Sequence, residues 1–350
     1  MTIRIILIFL LLILSLPYAN ALSKKDSTDK KVDFVPVPYI NYNRTGGFEF
    51  GGVPMAMYQL NSKDSISPPS MTGLVGKYST EGNWVIIAFQ RMYWKQNNWR
   101  LVFAAGMASN GFQYYSEING EIPIDYTTTA AFAYMEIQRR IYKKLYGGLV
   151  IISSVTDTEF DNDSNSKRTY FNTIGTKFSV DLRNNVYYPS EGLNDNFQWT
   201  STPDFLDNEF VGQRIEIDHN QYFPFNNKRD VFAWRLMTGF SIGSTAFERQ
   251  FIVGRNDLRG YTQGEYRGES IATLQGEYRW NPYKKIGFVG FAGLATIWGA
   301  EIDDNNGKIL PSIGTGFRYN VFPKNHMNIG MEAAVGIDDW GIYFRIGEAF

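Results

Sequence analysis

The chain has 350 residues and a formal net charge of −1, and it has no run of basic residues that could bind nucleic acid. It contains no cysteine and two histidines, His219 and His326, which excludes disulfide bridges and thiol chemistry and argues against a histidine-based metal site. No catalytic triad, P-loop or dinucleotide-binding fingerprint can be assembled from the other residues, so we expect neither an enzyme nor a small-molecule cofactor.

The first predicted element is a cleaved signal peptide at residues 1–21. A basic residue precedes an apolar run at 5–16, Pro17 ends the run, and residues 19–21 match the small-x-small pattern of a signal-peptidase site. The alternative is a membrane-anchoring helix, but the run is short for a span and polar sequence follows at once. Residues 22–33 are charged, and we expect them to form a short periplasmic spacer.

Residues 34–350 have the composition of a transmembrane β-barrel domain. Aromatic residues make up 16% of the chain, there are 33 glycines, and the mean hydropathy is −0.27. No apolar stretch after the signal reaches the roughly 20 residues of a transmembrane helix. Half-polar strands rich in aromatic residues are typical of a barrel in the outer membrane of a Gram-negative bacterium. The competing interpretation is a secreted, soluble β-sandwich or propeller.

Alternation of apolar and polar residues predicts sixteen strands, most of them ten to fifteen residues long. A tilted span across lipid needs roughly 9–11 residues, whereas strands of soluble domains more often have about 5–6. We therefore predict an all-β fold, an antiparallel transmembrane β-barrel of about 16 strands. The predicted strands are 34–43, 47–60, 70–79, 83–94, 98–108, 127–141, 144–157, 168–183, 191–203, 209–223, 229–243, 268–281, 285–299, 310–322, 326–337 and 341–350.

The predicted connections differ in length between the two sides of the barrel. Short periplasmic turns and longer outer loops are typical of outer-membrane barrels. With both ends of the barrel in the periplasm, the short turns on that side include 95–98, 225–229 and 281–285. The other side receives the longer and more polar connections 109–126, 160–167, 244–267 and 301–308.

The last predicted strand belongs to the sequence WGIYFRIGEAF. Alternation places Ile342, Phe344, Ile346 and Phe350 on one of its faces. A closing strand with aromatic residues is similar to the targeting strand of outer-membrane proteins. It would meet the first strand at a seam, where Pro36 and Pro38 of that strand lack backbone donors and should weaken the pairing.

The long loop 244–267 contains Leu258, Arg259, Gly260 and Tyr261. A polar loop of this length can project outward or fold back into the barrel. Folding back is favoured because lumen carboxylates would offer a guanidinium group bidentate ionic hydrogen bonds, whose geometry lysine cannot match. The glycine allows a tight turn beside the arginine, and the tyrosine can pack on the barrel wall.

Several motifs in order resemble the bacterial surface-antigen barrels of BamA/TamA-type outer-membrane proteins. The resemblance covers about 34–350, and it implies that the arginine-glycine-aromatic tip of the sixth outer loop locks inside the barrel. The motifs are VPVPYINYNRTGGFEFGG (35–52), DLRNNVYYPSEG (181–192), LRGY (258–261), YRG (266–268), QGEYRW (275–280), GTGFRYNVFPKN (314–325) and the closing strand GIYFRIGEAF.

Two departures from the family pattern affect what the resemblance implies. The family usually carries amino-terminal POTRA domains, and this sequence shows none, so it is similar to a compact member. The family often has an aspartate in a Phe-x-Asp-x-Gly stretch where we place Ala292. A partner for the loop arginine must then come from elsewhere. The candidates on predicted lumen faces are Glu277, Glu332 and Asp338, for which Arg318 and Arg345 could compete.

The resemblance implies a protein that assists the insertion or translocation of proteins or lipids at the outer membrane. Its partners would be outer-membrane lipid and a periplasmic or outer-membrane protein that supplies client capture. The alternative is a passive channel or a structural surface protein, because sixteen strands can enclose an aqueous lumen.

Overall fold

The computed structural model describes residues 32–43, 47–114, 124–160, 167–227, 229–254, 257–261, 264–283, 285–322 and 327–350. The described strands form a closed antiparallel β-barrel of sixteen strands, which confirms the predicted fold class. The predicted signal peptide at 1–21 and all but the last two residues of the spacer at 22–33 lie outside the described residues. The helices in the described part of the chain are too short to cross a membrane.

Each of the sixteen predicted strands is present, with ends that shift by a few residues. Two additional short strands, β12 and β13, lie in the loop between β11 and β14 and pair only with each other. The strands are β1 (Asp33–Asn43), β2 (Gly47–Tyr58), β3 (Ser70–Ser79), β4 (Trp84–Trp94), β5 (Trp99–Tyr114), β6 (Ile124–Tyr142), β7 (Leu145–Phe160), β8 (Lys167–Asp181), β9 (Gly192–Thr202), β10 (Gly212–Phe225), β11 (Asp230–Gly243), β12 (Phe251–Ile252), β13 (Arg267–Gly268), β14 (Ser270–Trp280), β15 (Ile286–Trp298), β16 (Leu310–Phe322), β17 (Met327–Val335) and β18 (Trp340–Ile346).

Alternation along the strands separates a lumen face from an apolar outer face. On β14, Leu274 and Trp280 are each 46% exposed, whereas Glu277 and Arg279 are buried. Sheet geometry sends successive side chains to opposite faces, so one strand can present apolar groups to lipid and charged groups to the lumen. On this strand the charged side chains therefore face the lumen.

The two rims of the barrel differ in their connections. We call the rim at which β1 begins the inner rim, and the opposite one the outer rim. The inner rim has several short turns, as predicted, but it also carries the long connections 59–69 and 182–191. These two segments contact each other, because the Tyr187 hydroxyl donates a hydrogen bond of 2.5 Å to the Pro69 carbonyl oxygen. Tyr187 is buried, so the connection 182–191 closes part of the inner mouth.

The seam between β1 and β18 is paired much less than the other strand boundaries. Its ladder consists of Tyr42 opposite Ile342 and Asn43 opposite Gly341, at the outer rim. On its other edge, β1 pairs with β2 at every residue from Asp33 to Asn43. The ladder is thus absent at the level of the two prolines of β1.

Apolar contact replaces hydrogen bonding in the lower part of the seam. Phe344 packs edge-on against Tyr39, with ring centroids 5.4 Å apart. Tyr39 lies on the lumen face of β1. On β18, Arg345 faces the lumen, and because successive side chains alternate, Phe344 lies on the outer face. The end of β18 therefore laps inside β1. The cluster at this overlap contains Val37, Tyr39, Val53, Met55, Met57, Tyr187 and Met327, with Ile329, Phe344 and Ile346 packed against it.

Candidate functional site

The described residues of the connection between β11 and β14, which runs from 244 to 269, are folded into the barrel lumen. Its two short strands pair at Phe251 with Gly268 and at Ile252 with Arg267. Beyond this hairpin, Leu258 and Tyr261 are buried in an apolar cluster with lumen-facing residues such as Ile271 and Leu310. The long outer loop thus occupies the lumen, as expected for a loop that folds back.

Arg259 lies between two lumen carboxylates. Its Nη1 atom donates a hydrogen bond of 3.0 Å to Glu277 Oε2 on β14 and lies 3.0 Å from Glu332 Oε2 on β17. The guanidinium carbon is 3.4 Å from the ring centroid of Phe291 on β15, close enough for a cation–π contact. The arginine is 1% exposed, so its charge is compensated by these neighbours rather than by bulk water.

The pairing differs from the bidentate fork that we predicted for Arg259. The Arg259 Nη1 atom bridges the two carboxylates, because Glu277 and Glu332 reach it from different strands of the wall. The guanidinium group lies against the ring of Phe291. Phe291, and not Ala292, is the β15 residue that faces the arginine. Ala292, where we place the missing family aspartate, is on the outer face of β15.

Three further arginines extend the ion pairs into a buried network. Arg279 Nε is 2.8 Å from Glu277 Oε1, and Arg345 Nε is 3.0 Å from Glu332 Oε1. Arg318 contacts Glu332 through Nη2. Each carboxylate therefore binds more than one cation. Removing one partner from such a buried network is costly, because it leaves an uncompensated charge away from water.

Gly260 brings the loop backbone into direct contact with β17. Its φ is +98°, and an added Cβ atom would lie 2.7 Å from the carbonyl carbon of Val335. Its backbone N–H donates a hydrogen bond of 2.8 Å to the hydroxyl group of Tyr343 on β18. A side chain at this position would clash with backbone, so the close approach requires glycine.

Tyr261 and Leu258 dock on either side of the tip. The Tyr261 hydroxyl donates to the Pro311 carbonyl oxygen at 2.6 Å and accepts from the Ile337 N–H at 3.1 Å. Leu258 packs against Gly293 of β15. A Cβ atom added to Gly293 would lie 2.7 Å from Leu258 Cδ1, so the glycine leaves the space that Leu258 occupies. The tip is thus attached to every strand from β14 to β18, including the strand that forms the seam.

Asp338 does not take the predicted place beside Arg259. We placed it on the lumen face of a strand that continued to residue 337, but β17 ends at Val335. Asp338 instead lies exposed in the β17–β18 turn with φ of 53°. A turn interrupts the alternation of faces, so the periodicity of the strand does not extend to this residue.

Phe350 also departs from its predicted face. Strand β18 ends at Ile346, Gly347 adopts φ of +79°, and the segment 347–350 turns into the lumen. Phe350 packs beside Tyr188 on a cluster around Tyr222, so it does not share the outer face of Ile342, Phe344 and Ile346.

The segment 347–350 joins the buried network through its polar groups. Glu348 Oε2 is 3.0 Å from Arg318 Nε, and its Oε1 accepts a hydrogen bond of 2.7 Å from Asn328 Nδ2. Arg279 Nη2 donates to the Phe350 carbonyl oxygen at 2.9 Å. The closing strand is therefore attached to the same ion pairs as the tip of the long loop.

The sequence reasoning did not identify Arg279, Tyr343 or Glu348. Arg279 is two residues from Glu277 on the same strand, so alternation could have shown that both face the lumen. Alternation also puts Tyr343 on the face opposite Ile342 and Phe344. Its contact with Gly260 and the contacts of Glu348 had no sequence signal, because they depend on the lapped seam and on the turn at Gly347.

A second layer of cations ties the base of the loop to the opposite wall. The guanidinium carbon of Arg267 is 3.7 Å from the centroid of Phe247, and its Nη2 donates to the Tyr126 hydroxyl on β6 at 2.6 Å. The guanidinium carbon of Arg214 on β10 lies 3.4 Å from the Phe251 ring centroid. The loop thus contacts both halves of the barrel and acts as a plug.

Asp257 precedes the tip and is ionisable near neutral pH. Burial raises its pKa to about 6, against the opposing effect of Arg235 and with a further contribution from Glu216. Its carbonyl oxygen accepts a hydrogen bond of 2.8 Å from Gln275 of β14. Among the described residues, no cluster of three His, Asp or Glu side chains is arranged to hold a metal ion.

Comparison with known proteins identifies relatives of the same architecture. The Omp85 superfamily domain matches residues 72–350. No curated protein matches the sequence. BamA from Haemophilus ducreyi lacking POTRA domains 1–3 superposes with a TM-score of 0.58 at 12% identity, covering 89% of this chain and 70% of that one.

Two other solved structures are similar. CdiB from Acinetobacter baumannii gives a TM-score of 0.60 at 13% identity, covering 91% of this chain and 60% of that one. CdiB from Escherichia coli gives a TM-score of 0.62 at 10% identity, covering 92% of this chain and 67% of that one. The chain thus spans less than two thirds of the length of one of these structures, and identities this low show a shared fold.

Proposed function

The chain belongs to the Omp85 superfamily, as its motifs predicted, and on that premise we propose that it assists the insertion or translocation of proteins or lipids at the outer membrane. Omp85-type barrels are proteins of the Gram-negative outer membrane. The proposal rests on one observation, the short β1–β18 ladder beside a plugged lumen. A boundary with two residue pairs is the weakest part of the wall and can part without breaking the rest of the barrel.

The plug and the seam are physically linked, which supports a coupled opening. Gly260 of the plug bonds to Tyr343 of β18, and Arg345 of the same strand shares Glu332 with Arg259. Displacing the tip removes contacts from the closing strand, and moving the closing strand removes contacts from the tip. Opening of the lumen and of the wall would then occur together.

A cavity at the inner rim supports delivery of a client from that side. It has a volume of about 580 Å³, and its lining includes Asn184, Asn281, Asn320 and Asn328. Asn184, Asn281 and Asn328 already form side-chain hydrogen bonds within the chain. Asn320 Oδ1 has no hydrogen-bond partner among the described residues, so it could accept one from a backbone N–H of a client. We propose that a partner protein at the inner rim, on the periplasmic side, supplies client capture.

Locking the seam tests the proposed function. The pair Y42C/I342C faces across the β1–β18 ladder, and the native chain has no cysteine that could interfere. We expect the oxidised pair to lower the rate at which a denatured barrel protein folds into vesicles containing this protein, and reductant to restore it.

The matched control is the pair I313C/V335C across the fully formed β16–β17 boundary. Oxidation there should leave the folding rate unchanged. If the locked seam assists folding as well as the reduced one, the proposal is wrong and a passive role becomes the better account.

A further inference from the structure

The connections of the two rims carry opposite charge. The described residues of the inner-rim connections contain mostly cations, namely Lys63, Lys95, Lys143, Lys144, Arg183, Arg229 and Lys285, with the acids Asp64 and Glu191. Outside the long plug loop, the described residues of the outer-rim connections contain mostly acids, namely Glu81, Asp204, Asp207, Glu209, Glu301, Asp303, Asp304, Asp338 and Asp339, with Lys308. The inner rim is therefore the side of the barrel that attracts anions.

One part of the inner rim concentrates this charge without compensating it. Lys95 of the β4–β5 turn, Arg139 near the end of β6, and Lys143 and Lys144 of the β6–β7 turn form no ion pair among the described residues. We call these four residues the rim cluster. The neighbouring carboxylate of Asp64 accepts hydrogen bonds from the backbone of the β4–β5 turn and from Ser67, and it pairs with no cation in the part of the chain that the structure describes.

The two turns that carry the rim cluster are held together. Arg140 Nη2 donates hydrogen bonds to the carbonyl oxygens of Gln96 at 2.7 Å and Asn97 at 2.9 Å. Its guanidinium group thereby ties the end of β6 to the β4–β5 turn. The four cations consequently lie along one continuous stretch of rim.

The rim cluster borders the lipid-facing wall. Trp94 and Trp99 stack with ring centroids 6.1 Å apart, and the Arg139 guanidinium lies 5.5 Å from the Trp99 ring centroid. A bulge between Arg140 and Tyr142 turns two consecutive apolar side chains outward, so that Ile141 is 59% and Tyr142 64% exposed. Tryptophan and tyrosine are typical of the level at which lipid headgroups meet acyl chains.

We infer that the rim cluster binds the headgroup of an acidic glycerophospholipid in the inner leaflet of the membrane. The phosphate would meet Arg139, Lys143 and Lys144, while the acyl chains would lie along Ile141 and the wall below it. A soluble anion would use only the cations, whereas a lipid explains both the unpaired charges and the exposed apolar side chains beside them. This inference does not depend on the proposed role in insertion.

Tryptophan quenching by brominated lipid tests the inference. The full chain would be reconstituted in zwitterionic vesicles that contain equal fractions of dibrominated phosphatidylglycerol or dibrominated phosphatidylcholine. We expect the acidic lipid to quench more strongly, with an apparent preference of about fivefold or more, since each surface cation contributes roughly that factor. The preference should fall when salt is raised from about 0.05 M to about 0.5 M.

Two double variants identify the residues. In R139Q/K143Q the preference should fall about fivefold or more, because two cations that each contribute roughly that factor are lost. The matched control K63Q/K285Q removes two other inner-rim lysines, and in this variant the preference for the acidic lipid should remain. Replacing Trp94 and Trp99 by phenylalanine should remove the excess quenching. An unchanged preference in R139Q/K143Q, an equal loss in the control, or excess quenching without the two tryptophans would each overturn the inference.

Discussion

At the scale of single residues, the plug depends on groups that have no substitute of the same shape. Arg259 combines a cation with a flat surface that lies against Phe291, and lysine offers only the charge. Gly260 is the residue at which plug backbone approaches wall backbone. The tip is therefore specified by geometry as well as by charge.

Replacing Arg259 with alanine should destabilise the barrel by about 3 kcal/mol, because two buried carboxylates lose a shared cation. Urea unfolding in lipid vesicles measures the change. The control Arg168→Ala removes an exposed arginine that pairs with Asp157 at the outer rim, and it should leave the unfolding midpoint unchanged. Equal effects of the two substitutions would contradict the role of the buried network.

Replacing Gly260 with alanine should displace the tip, since the new methyl group meets the backbone of Val335 in addition to the cost of positive φ. Gly82→Ala is a matched control, because Gly82 has φ of +82° and open space where its Cβ would be. We expect hydrogen exchange of residues 257–261 to accelerate at least about tenfold in G260A and to be unchanged in G82A.

Docking of the plug should weaken as pH rises through about 6. The pKa of Asp257 is raised from 3.8 by burial, so the docked loop favours the protonated carboxyl. The stabilisation of docking by protonated Asp257 is complete below the pKa that this carboxyl has in the unfolded chain, and it is lost above pH 6. The docking equilibrium constant then falls by at most about a hundredfold. Single-channel noise should therefore be lower at pH 5 than at pH 7.5, and Asp257→Asn should remove that difference.

At the scale of elements, the loop between β11 and β14 decides whether the lumen is open. It contacts β6 and β10 near its base and β14 to β18 at its tip. A loop anchored at both ends of its path resists displacement more than one held at a single point. This arrangement separates a plugged barrel from a passive channel.

Planar-bilayer conductance checks that distinction. We expect the native protein to give small and irregular currents, because the anchored loop occupies the lumen. Arg259→Ala and a deletion of 255–263 should both give larger and steadier currents. Large, steady pores in the native protein, unaffected by the substitution, would favour the passive-channel alternative.

At the scale of the whole molecule, closure depends on an apolar overlap at one boundary. The other boundaries are paired at seven or more residues, with local irregularities, whereas β18 meets β1 through two residue pairs and the packing of Phe344 on Tyr39. Backbone groups are paired across most of the wall, whereas the facing edges of β1 and β18 have no ladder below the outer rim. The resistance of the barrel to heat is then limited by the overlap.

Substituting Phe344 with alanine should lower the temperature at which the folded barrel loses its fast gel mobility. Burial of a phenylalanine typically contributes about 3 kcal/mol, and most of that packing lies at the seam. Phe317→Ala, an aromatic residue on the outer face of β16, is the control and should have a smaller effect in detergent. A larger shift for the control would show that the overlap does not limit stability.

The sequence by itself determined the barrel, its sixteen strands and the residues at the tip of the plug. Strand alternation is a local property, and it therefore also predicted the lumen faces of Glu277 and Glu332. Tertiary structure decided the rest, because alternation ends where a strand ends. The exposed position of Asp338, the inward turn of Phe350 and the lapped seam with its Tyr343 contact all depend on how distant segments meet, which a periodic pattern does not encode.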